Sequence, residues 1–175
     1  MIVAHAYIGL GSNLGDRRAQ IEVALDAMAG RGMRLLAVSP LYETEPWGLI
    51  DQPRFLNAAC AVETNLSPGD LLDALQAIEH NMGRVRTVRY GPRPIDLDIL
   101  MYDDLRIDTP RLAIPHPGML GRATVLVPLA DIAPDLVHPI TGRTIREHLA
   151  DLGATPDIAP YPPGLPALEN RTRQT

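Results

Sequence analysis

The chain has 175 residues, a formal net charge of −5 and a hydrophobic fraction of 46%. This length suffices for one domain with a substantial core, and no apolar run is long enough to cross a bilayer. The negative net charge argues against a general nucleic-acid binder. All 16 basic residues are arginine, and this absence of lysine excludes a Walker phosphate loop, the strand lysine of protein kinases and a Schiff-base lysine.

Hydrophobic periodicity, capping residues and Gly/Pro positions predict alternating strands and helices. In chain order these are a strand at 3–10, a turn at 11–13, a helix at 16–29, strands at 33–43 and 55–64, a helix from Ser67 to Gly83, a strand at 95–102, a turn at 103–104, a short strand at 105–107 and a last helix at 144–152. The stretch 44–53 is predicted to be irregular. The apolar stretch 123–132 is interrupted by Pro128 and is assigned to no element.

The order of the first elements is strand, helix, strand, strand, helix, strand, which is the ferredoxin-like pattern. We therefore expect one α+β domain over residues 1–152, with a central, mostly antiparallel sheet. Residues 153–175 are rich in proline and polar residues, so a loosely held tail is expected there.

Two carboxylates are predicted to share one face of the strand at 95–102. Side chains alternate along a strand, so Ile95, Leu97, Ile99 and Met101 are expected on one face, and Asp96 and Asp98 together on the other. Unpaired, these carboxylates would repel each other, whereas divalent cations bridging them to phosphate oxygens would remove the conflict.

A basic loop directly precedes this strand. Four arginines, namely Arg84, Arg86, Arg89 and Arg93, occur without an acidic residue among them, and residues 91–94 supply the Gly/Pro punctuation of a loop. Guanidinium groups here could neutralise phosphate charge. The alternative is a solvated strand face beside a mobile loop, but the adjacency of the two features favours a metal and polyphosphate site.

Gln76 and Glu79 lie three residues apart on the predicted helix, on a face distinct from its apolar stripe. They could face the site that follows Gly83. A solvated helix face is an equally good explanation of these two residues.

Over about residues 7–148 the sequence resembles the 6-hydroxymethyl-7,8-dihydropterin pyrophosphokinase family. The segments that carry the resemblance are 9–13, 51–53, 55–58, 83–86 and 91–99. The family transfers a pyrophosphoryl group from ATP to a pterin in folate biosynthesis, and its fold is the ferredoxin-like arrangement predicted above.

The resemblance implies a role for individual residues. Asp96 and Asp98 would hold two Mg²⁺ ions, and Arg84 and Arg93 would contact the transferring group. Positions that bind ATP or lie beside it are Gln76, Arg84, Arg86, Arg89, Arg93, Ile99, Arg111, His116 and Arg122. The pterin would lie near Thr44, Pro46, Trp47, Phe55 and Asn57.

Two positions depart from the family pattern. Thr124 stands where the family usually has an aromatic residue that closes the second face of the pterin, and Gly118 stands where many members have a basic residue. Half of the expected aromatic sandwich is therefore missing, which would weaken pterin binding unless Trp47 substitutes.

Three alternatives stay open at this point. One is another metal-dependent nucleotidyl or phosphoryl transferase with a different acceptor, and a second is a catalytically silent paralogue that binds pterin or nucleotide. The third, an RNA-binding ferredoxin-like domain, lacks the aromatic pair expected on the sheet surface.

The expected setting is the cytoplasm. Cys60 is the only cysteine, which fits a reducing compartment, and the first residues lack the basic region of a signal peptide. The expected partners are the small molecules ATP and the pterin, with no membrane and no nucleic acid, and the resemblance implies a monomer.

Overall fold

The computed structural model describes residues 3–46, 51–84, 91–155 and 157–162. The elements in chain order are β1 Ala4–Ser12, α1 Arg17–Ala29, β2 Met33–Val38, β3 Tyr42–Thr44, β4 Phe55–Thr64, α2 Pro68–Asn81, β5 Asp96–Tyr102, β6 Ile107–Asp108, β7 Ala113–Ile114, α3 Ala123–Ile132, α4 Ile145–Leu152 and β8 Ile158–Pro160.

The main sheet is antiparallel, with the strand order β5-β1-β4-β3-β8, and β2 also pairs with β4. The four positions of a ferredoxin-like sheet are occupied by β5, β1, β4 and the β2/β3 pair. Its two crossover helices are α1 and α2. The predicted fold class is confirmed.

Local sequence signals explain the ends of the helices. The Asp16 carboxylate accepts from the Ala19 N–H at 3.0 Å at the start of α1. Ser67 caps α2, whose first residue is proline, and Thr144 and Glu147 form the predicted capping box of α4. Each of these contacts satisfies backbone N–H groups that have no partner within the helix.

Two hydrophobic clusters lie on opposite faces of the sheet. The larger cluster joins α1 and α2 to the sheet through residues such as Ile8, Leu25 and Leu75. The smaller cluster joins α3 and α4 to the other face through Ala59, Leu126 and other side chains. The sheet is therefore covered by helices on both sides.

Several local predictions were wrong. The expected turn at 11–13 is late, because β1 continues through Ser12, and the single strand expected at 33–43 is interrupted at 39–41 between β2 and β3. Pro40 lies in this interruption, and Ser39 uses its hydroxyl as acceptor for the Ala59 N–H at 2.9 Å. The short strand expected at 105–107 begins only at Ile107.

Met101 faces the opposite side from the one predicted. The pairing of β1 with β5 shifts register between Tyr7 and Ile8, so Leu100 is an extra residue in β5. Such a bulge reverses the alternation that follows it. Ile95, Leu97 and Ile99 join the larger cluster as expected, whereas Met101 joins the smaller one.

Two segments near the C terminus have regular structure that was not predicted. Residues 123–132 form a helix that contains Pro128, although proline interrupts their apolar pattern. Residues 158–160 were expected in a loose tail, but they form the edge strand β8, which pairs with β3. That expectation is wrong for these three residues.

Candidate active site

A cavity of about 990 Å³ lies over the face of the sheet that carries the smaller cluster. Asp96 of β5, Gly11 of β1 and Asn57 of β4 are directly opposite one another in the strand registers. Opposite residues of antiparallel strands project from the same face. Gly11 has no side chain, so it leaves open space between the carboxylate and the amide.

Asp96 and Asp98 both line this cavity, as the alternation along β5 predicted. Asp98 is opposite Gly9, two residues before Gly11 in β1. The glycine at position 9 lets the Leu100 side chain pack close to β1, because a Cβ there would lie 3.3 Å from Leu100 Cδ2. Strand pairing fixes the spacing of the carboxylates, because both lie before the bulge in β5.

Two guanidinium groups converge on Asp96. Arg84 Nη1 contacts Asp96 Oδ1, and Arg93 Nη2 lies 2.7 Å from Asp96 Oδ2. The Asp96 side chain is 18% exposed, so these contacts are only partly screened by solvent. Arg84 and Arg93 were expected to contact phosphate, and in the structure both guanidinium groups pair with the Asp96 carboxylate.

Glu79 holds Arg84 from the other side. Its carboxylate contacts Arg84 Nη1 and also accepts from the Leu97 N–H at 2.8 Å. Because β5 is an edge strand, this carboxylate satisfies a backbone group that has no partner strand. Glu79 is 5% exposed and faces the site, which was one of the two alternatives for this residue.

The carboxylates that lie deepest have raised pKa values. The pKa of Asp98 is raised by burial first and by the nearby Asp96 second, although His116, Arg84 and Arg93 oppose the shift. The pKa of Glu79 is raised mainly by burial, and the Leu97 N–H and Arg84 oppose it. Burial thus disfavours the charged forms of both carboxylates, and a cation bound beside them would stabilise the charged forms.

Asn13 was not predicted as a site residue, although it holds two loops against each other. Its Oδ1 accepts from the Arg93 N–H at 2.8 Å, and its Nδ2 donates to Gln52 Oε1 at 3.0 Å and to the Pro53 carbonyl at 3.1 Å. Asn13 is 1% exposed. The segment 9–13 carries part of the family resemblance and predicts a turn at 11–13, but neither observation assigns a role to Asn13.

The other end of the cavity is lined by Thr44, Pro46, Phe55 and Asn57, four of the five residues expected to contact the pterin. Asn57 Nδ2 donates to Thr44 Oγ1 at 2.7 Å, which fixes the orientation of the amide. The Arg93 guanidinium lies 5.2 Å from the centre of the Phe55 ring and joins the two ends of the cavity.

His116 and Arg122 line the cavity on the side of α3. His116 Nδ1 accepts from the Gly118 N–H at 3.1 Å, which directs the other ring nitrogen away from this loop. A Cβ at Gly118 would lie 3.2 Å from the Arg122 guanidinium, so glycine here lets the arginine pack against the backbone. Thr124 also lines the cavity, from the first turn of α3.

Three residues expected beside ATP lie outside the cavity lining. Ile99 is buried in the larger cluster, Gln76 is half-buried on α2, and Arg111 forms an ion pair with Asp73. The structure brings none of them to the cavity, and their roles stay predictions. Trp47, Arg86 and Arg89 lie outside the described residues.

Two absences hold for the described part of the chain. Among the residues with assigned positions, no group of three or more His, Cys, Asp or Glu side chains could hold a metal ion. Within the same residues, no helix has the length and apolar character needed to cross a membrane. A cation at Asp96 and Asp98 would therefore need further oxygen ligands from a substrate or from water.

The chain is similar to known proteins over most of its length. A sequence model of the 7,8-dihydro-6-hydroxymethylpterin-pyrophosphokinase (HPPK) family matches residues 7–134. The 2-amino-4-hydroxy-6-hydroxymethyldihydropteridine pyrophosphokinase of Pseudomonas aeruginosa is 55% identical over 150 residues, which are 85% of this chain and 92% of the relative. The enzyme of the same name from Methylorubrum extorquens is 50% identical over 151 residues, 86% of this chain and 94% of the relative.

Similarity extends to longer proteins and to solved structures. The folic acid synthesis protein fol1 of Schizosaccharomyces pombe is 50% identical over 148 residues, 84% of this chain and 20% of that protein. The crystal structure of wild-type Plasmodium falciparum HPPK-DHPS with pterin and p-hydroxybenzoate superposes with a TM-score of 0.67 at 19% identity, over 86% of this chain and 42% of that chain. At this identity the structural match supports the fold alone, and the chain spans less than half of that protein.

Proposed function

The chain belongs to the 7,8-dihydro-6-hydroxymethylpterin-pyrophosphokinase family, and we propose that it transfers a pyrophosphoryl group from ATP to 6-hydroxymethyl-7,8-dihydropterin in folate synthesis. The observation that supports this most directly is the convergence of Asp96, Asp98, Arg84 and Arg93 on one cavity. The opposite end of the same cavity carries Phe55 and Asn57, which suit a flat, polar heterocycle.

The reaction joins the hydroxymethyl oxygen to the β-phosphorus of ATP. The bond between that phosphorus and the oxygen bridging it to the α-phosphorus breaks, AMP leaves, and the hydroxyl group loses one proton. The protein then has to align the two substrates and to neutralise charge on the transferring group. Arg84 and Arg93 would perform the second task, and the position of both guanidinium groups at the carboxylate end of the cavity supports this role.

Magnesium fits the donor set at this end. Mg²⁺ prefers oxygen ligands and is commonly held by one or two carboxylates together with substrate phosphates and water. Asp96 and Asp98 would hold it, and two ions are proposed. When bound, Mg²⁺ polarises the phosphoryl oxygens and neutralises their charge. Asp98 lies close enough to Asp96 for the two charges to repel each other, and such a pair of carboxylates suits a shared cation.

The acceptor end fixes the orientation of the pterin. Phe55 offers a ring face for stacking, and Asn57 offers an amide whose position is set by the hydrogen bond to Thr44. Asn13 links the segment that precedes Phe55 to the backbone of Arg93. It would thereby hold the arginine in a fixed relation to the acceptor.

The test is AMP release from ATP and Mg²⁺, with and without 6-hydroxymethyl-7,8-dihydropterin. We expect pterin-dependent AMP from the native chain and near-complete loss in Asp96→Ala and Asp98→Ala. Asp135→Ala, at an exposed ion pair with Arg146, is the control and should retain native turnover. Pterin-independent AMP, products of ADP or free pyrophosphate, or unchanged rates in both carboxylate variants would refute the proposal.

A further inference from the structure

The last residue of α4 and the segment that follows the helix line the same cavity as the predicted site residues. Leu152, Ala154, Thr155, Asp157 and Ile158 are all part of the cavity wall. The match to the family model ends at residue 134, so this wall lies beyond the matched region. None of these five residues was predicted as a site residue.

Strand pairing places Ile158 next to the acceptor end. Ile158 is directly opposite Thr44, and Thr44 is directly opposite Phe55. The three side chains therefore project from one face of the sheet. Thr44 is also the residue that fixes the Asn57 amide, so Ile158 flanks the residues expected to bind the heterocycle.

The same strand order separates β8 from the end of the cavity that carries Asp96 and Asp98. The strand order places β8 and β5 at opposite edges of the sheet, four strand spacings apart. With neighbouring strands about 4.8 Å apart, β8 lies about 19 Å from the strand of Asp96 and Asp98 but only about 10 Å from β4. A change on β8 should thus affect the acceptor and leave ATP undisturbed.

The chemistry of this wall fits an uncharged ring. Ile158 and Leu152 supply apolar surface, Thr155 supplies a hydroxyl group, and Asp157 supplies a carboxylate that disfavours phosphate. Across the described residues of 153–162 no side chain is basic. Thr124, which lines the cavity from α3, offers only a methyl and a hydroxyl group for contact with a ring.

Contacts with the rest of the fold hold the strand in place. The Tyr161 N–H donates to the Leu41 carbonyl at 2.8 Å, and the Tyr161 ring packs against the larger cluster. The Arg17 guanidinium lies 5.8 Å from the centre of that ring. These contacts follow directly on β8 and anchor it beside β3.

We propose that the C-terminal strand is a specificity element of the acceptor pocket, in which Ile158 supplies an apolar wall beside the pterin where Thr124 provides no ring. This inference rests on the proposed function, because it assigns the acceptor to this end of the cavity. Ile158 positions the acceptor and takes no part in the chemistry.

The test compares Ile158→Ala with Ile140→Ala, which makes the same change at an isoleucine that is 61% exposed and outside the cavity wall. We expect KM for 6-hydroxymethyl-7,8-dihydropterin to rise about tenfold in Ile158→Ala, as for loss of a small apolar contact in a binding pocket. KM for ATP, kcat at saturating pterin and the unfolding temperature should stay near native values. Ile158→Leu should restore most of the pterin affinity, and Ile140→Ala should behave as native.

The outcomes separate this inference from the proposed function. Pterin-dependent AMP release by the native chain together with an unchanged KM in Ile158→Ala would overturn the inference alone. A parallel rise in both KM values, or a lower unfolding temperature, would also overturn it by indicating a structural role. If the native chain released no pterin-dependent AMP, the proposed function and this inference would fall together.

Discussion

Asp96 and Asp98 are chemically identical, but their surroundings give them different properties. Asp96 is in contact with two guanidinium groups, whereas the pKa of Asp98 is raised by burial and by Asp96 itself. The pair therefore combines a carboxylate in contact with two guanidinium groups and a carboxylate whose charged form is disfavoured by burial. An added cation would favour the charged form of Asp98, while Arg84 and Arg93 remain close to Asp96.

Gly11 allows a direct test of the open surface between the two ends of the site. A Cβ there would lie 3.3 Å from Asn57 Oδ1 and 3.7 Å from Phe55 Cδ1. Because Asn57 is fixed by Thr44, Gly11→Ala should displace the amide and raise KM for the pterin about tenfold, the equivalent of about 1.4 kcal/mol. Steady-state kinetics with each substrate varied would measure this.

The matched control for Gly11→Ala is Gly69→Ala in the first turn of α2, where the nearest atom to the new Cβ is Ser67 Oγ at 3.9 Å. It should leave both KM values near those of the native chain. A native pterin KM in Gly11→Ala, in a variant that folds normally, would contradict the assigned position of the acceptor.

At the level of single residues, the sequence predicted the carboxylate face but missed Asn13. Alternation along a strand depends only on the chain itself, so the placement of Asp96 and Asp98 could be inferred. The contacts of Asn13 join it to residues 39 to 80 positions away. No local pattern predicts such partners, because they meet only after the loops come together.

The bulge at Leu100 lets one strand serve two layers. Before it, β5 presents Asp96 and Asp98 to the cavity and Leu97 and Ile99 to the larger cluster. After it, Met101 joins the smaller cluster and Tyr102 the larger one. The sequence could predict the strand from its alternation but not the bulge, since the extra residue is defined by pairing with β1.

Helix α3 illustrates a second limit of sequence reasoning. Proline in a helix interior lacks the N–H that would bond to the carbonyl four residues earlier, here that of Thr124. The sequence pattern at 123–132, with this proline in it, was assigned to no element. Leu126 and Leu129 are fully buried against the sheet, and such packing can outweigh the local preference.

The connection between α3 and α4 contains a buried histidine whose charge should affect stability. The pKa of His138 is lowered by burial first and then by His148 and Arg106. Its Nδ1 accepts from the Thr141 N–H at 3.4 Å, and the ring of His148 lies 5.8 Å away. The folded protein therefore disfavours protonation of His138.

The sign of the pH effect follows from this shift. A histidine with a lowered pKa binds fewer protons when folded, so its contribution to stability is retained above the unfolded pKa of about 6.5 and is lost as pH falls below it. In His138→Asn, the decrease in unfolding free energy from about pH 7 to about pH 5 should be smaller than in the native chain.

Urea unfolding at the two pH values would measure the His138 effect. His80→Asn, at an exposed histidine of α2, is the control and should not reduce the loss of stability. If the unfolding free energy of His138→Asn fell with pH as much as that of the native chain, other titrating groups would account for the whole pH dependence of stability.

For the molecule as a whole, the sheet separates the larger hydrophobic cluster from the cavity. The larger cluster lies under α1 and α2, whereas the cavity shares the other face with α3 and α4. The order of the first elements was enough to predict the ferredoxin-like sheet. The cavity wall from β8 was beyond prediction, because a strand of three residues has almost no periodicity and depends on the free edge of β3.

Binding at the site should stabilise the entire domain by mass action. A ligand whose free concentration is about 100 times its dissociation constant adds about 2.7 kcal/mol to the free energy of unfolding. For a chain of this size, that gain raises the unfolding temperature by about 5 to 10 °C. We expect this shift with Mg²⁺ and a non-hydrolysable ATP analogue together, and a much smaller one with the analogue alone. Asp96→Asn should lose most of the joint shift while Asp135→Asn retains it, as measured by calorimetry against each variant's own ligand-free value. A full shift in Asp96→Asn would place the nucleotide and its metal away from β5.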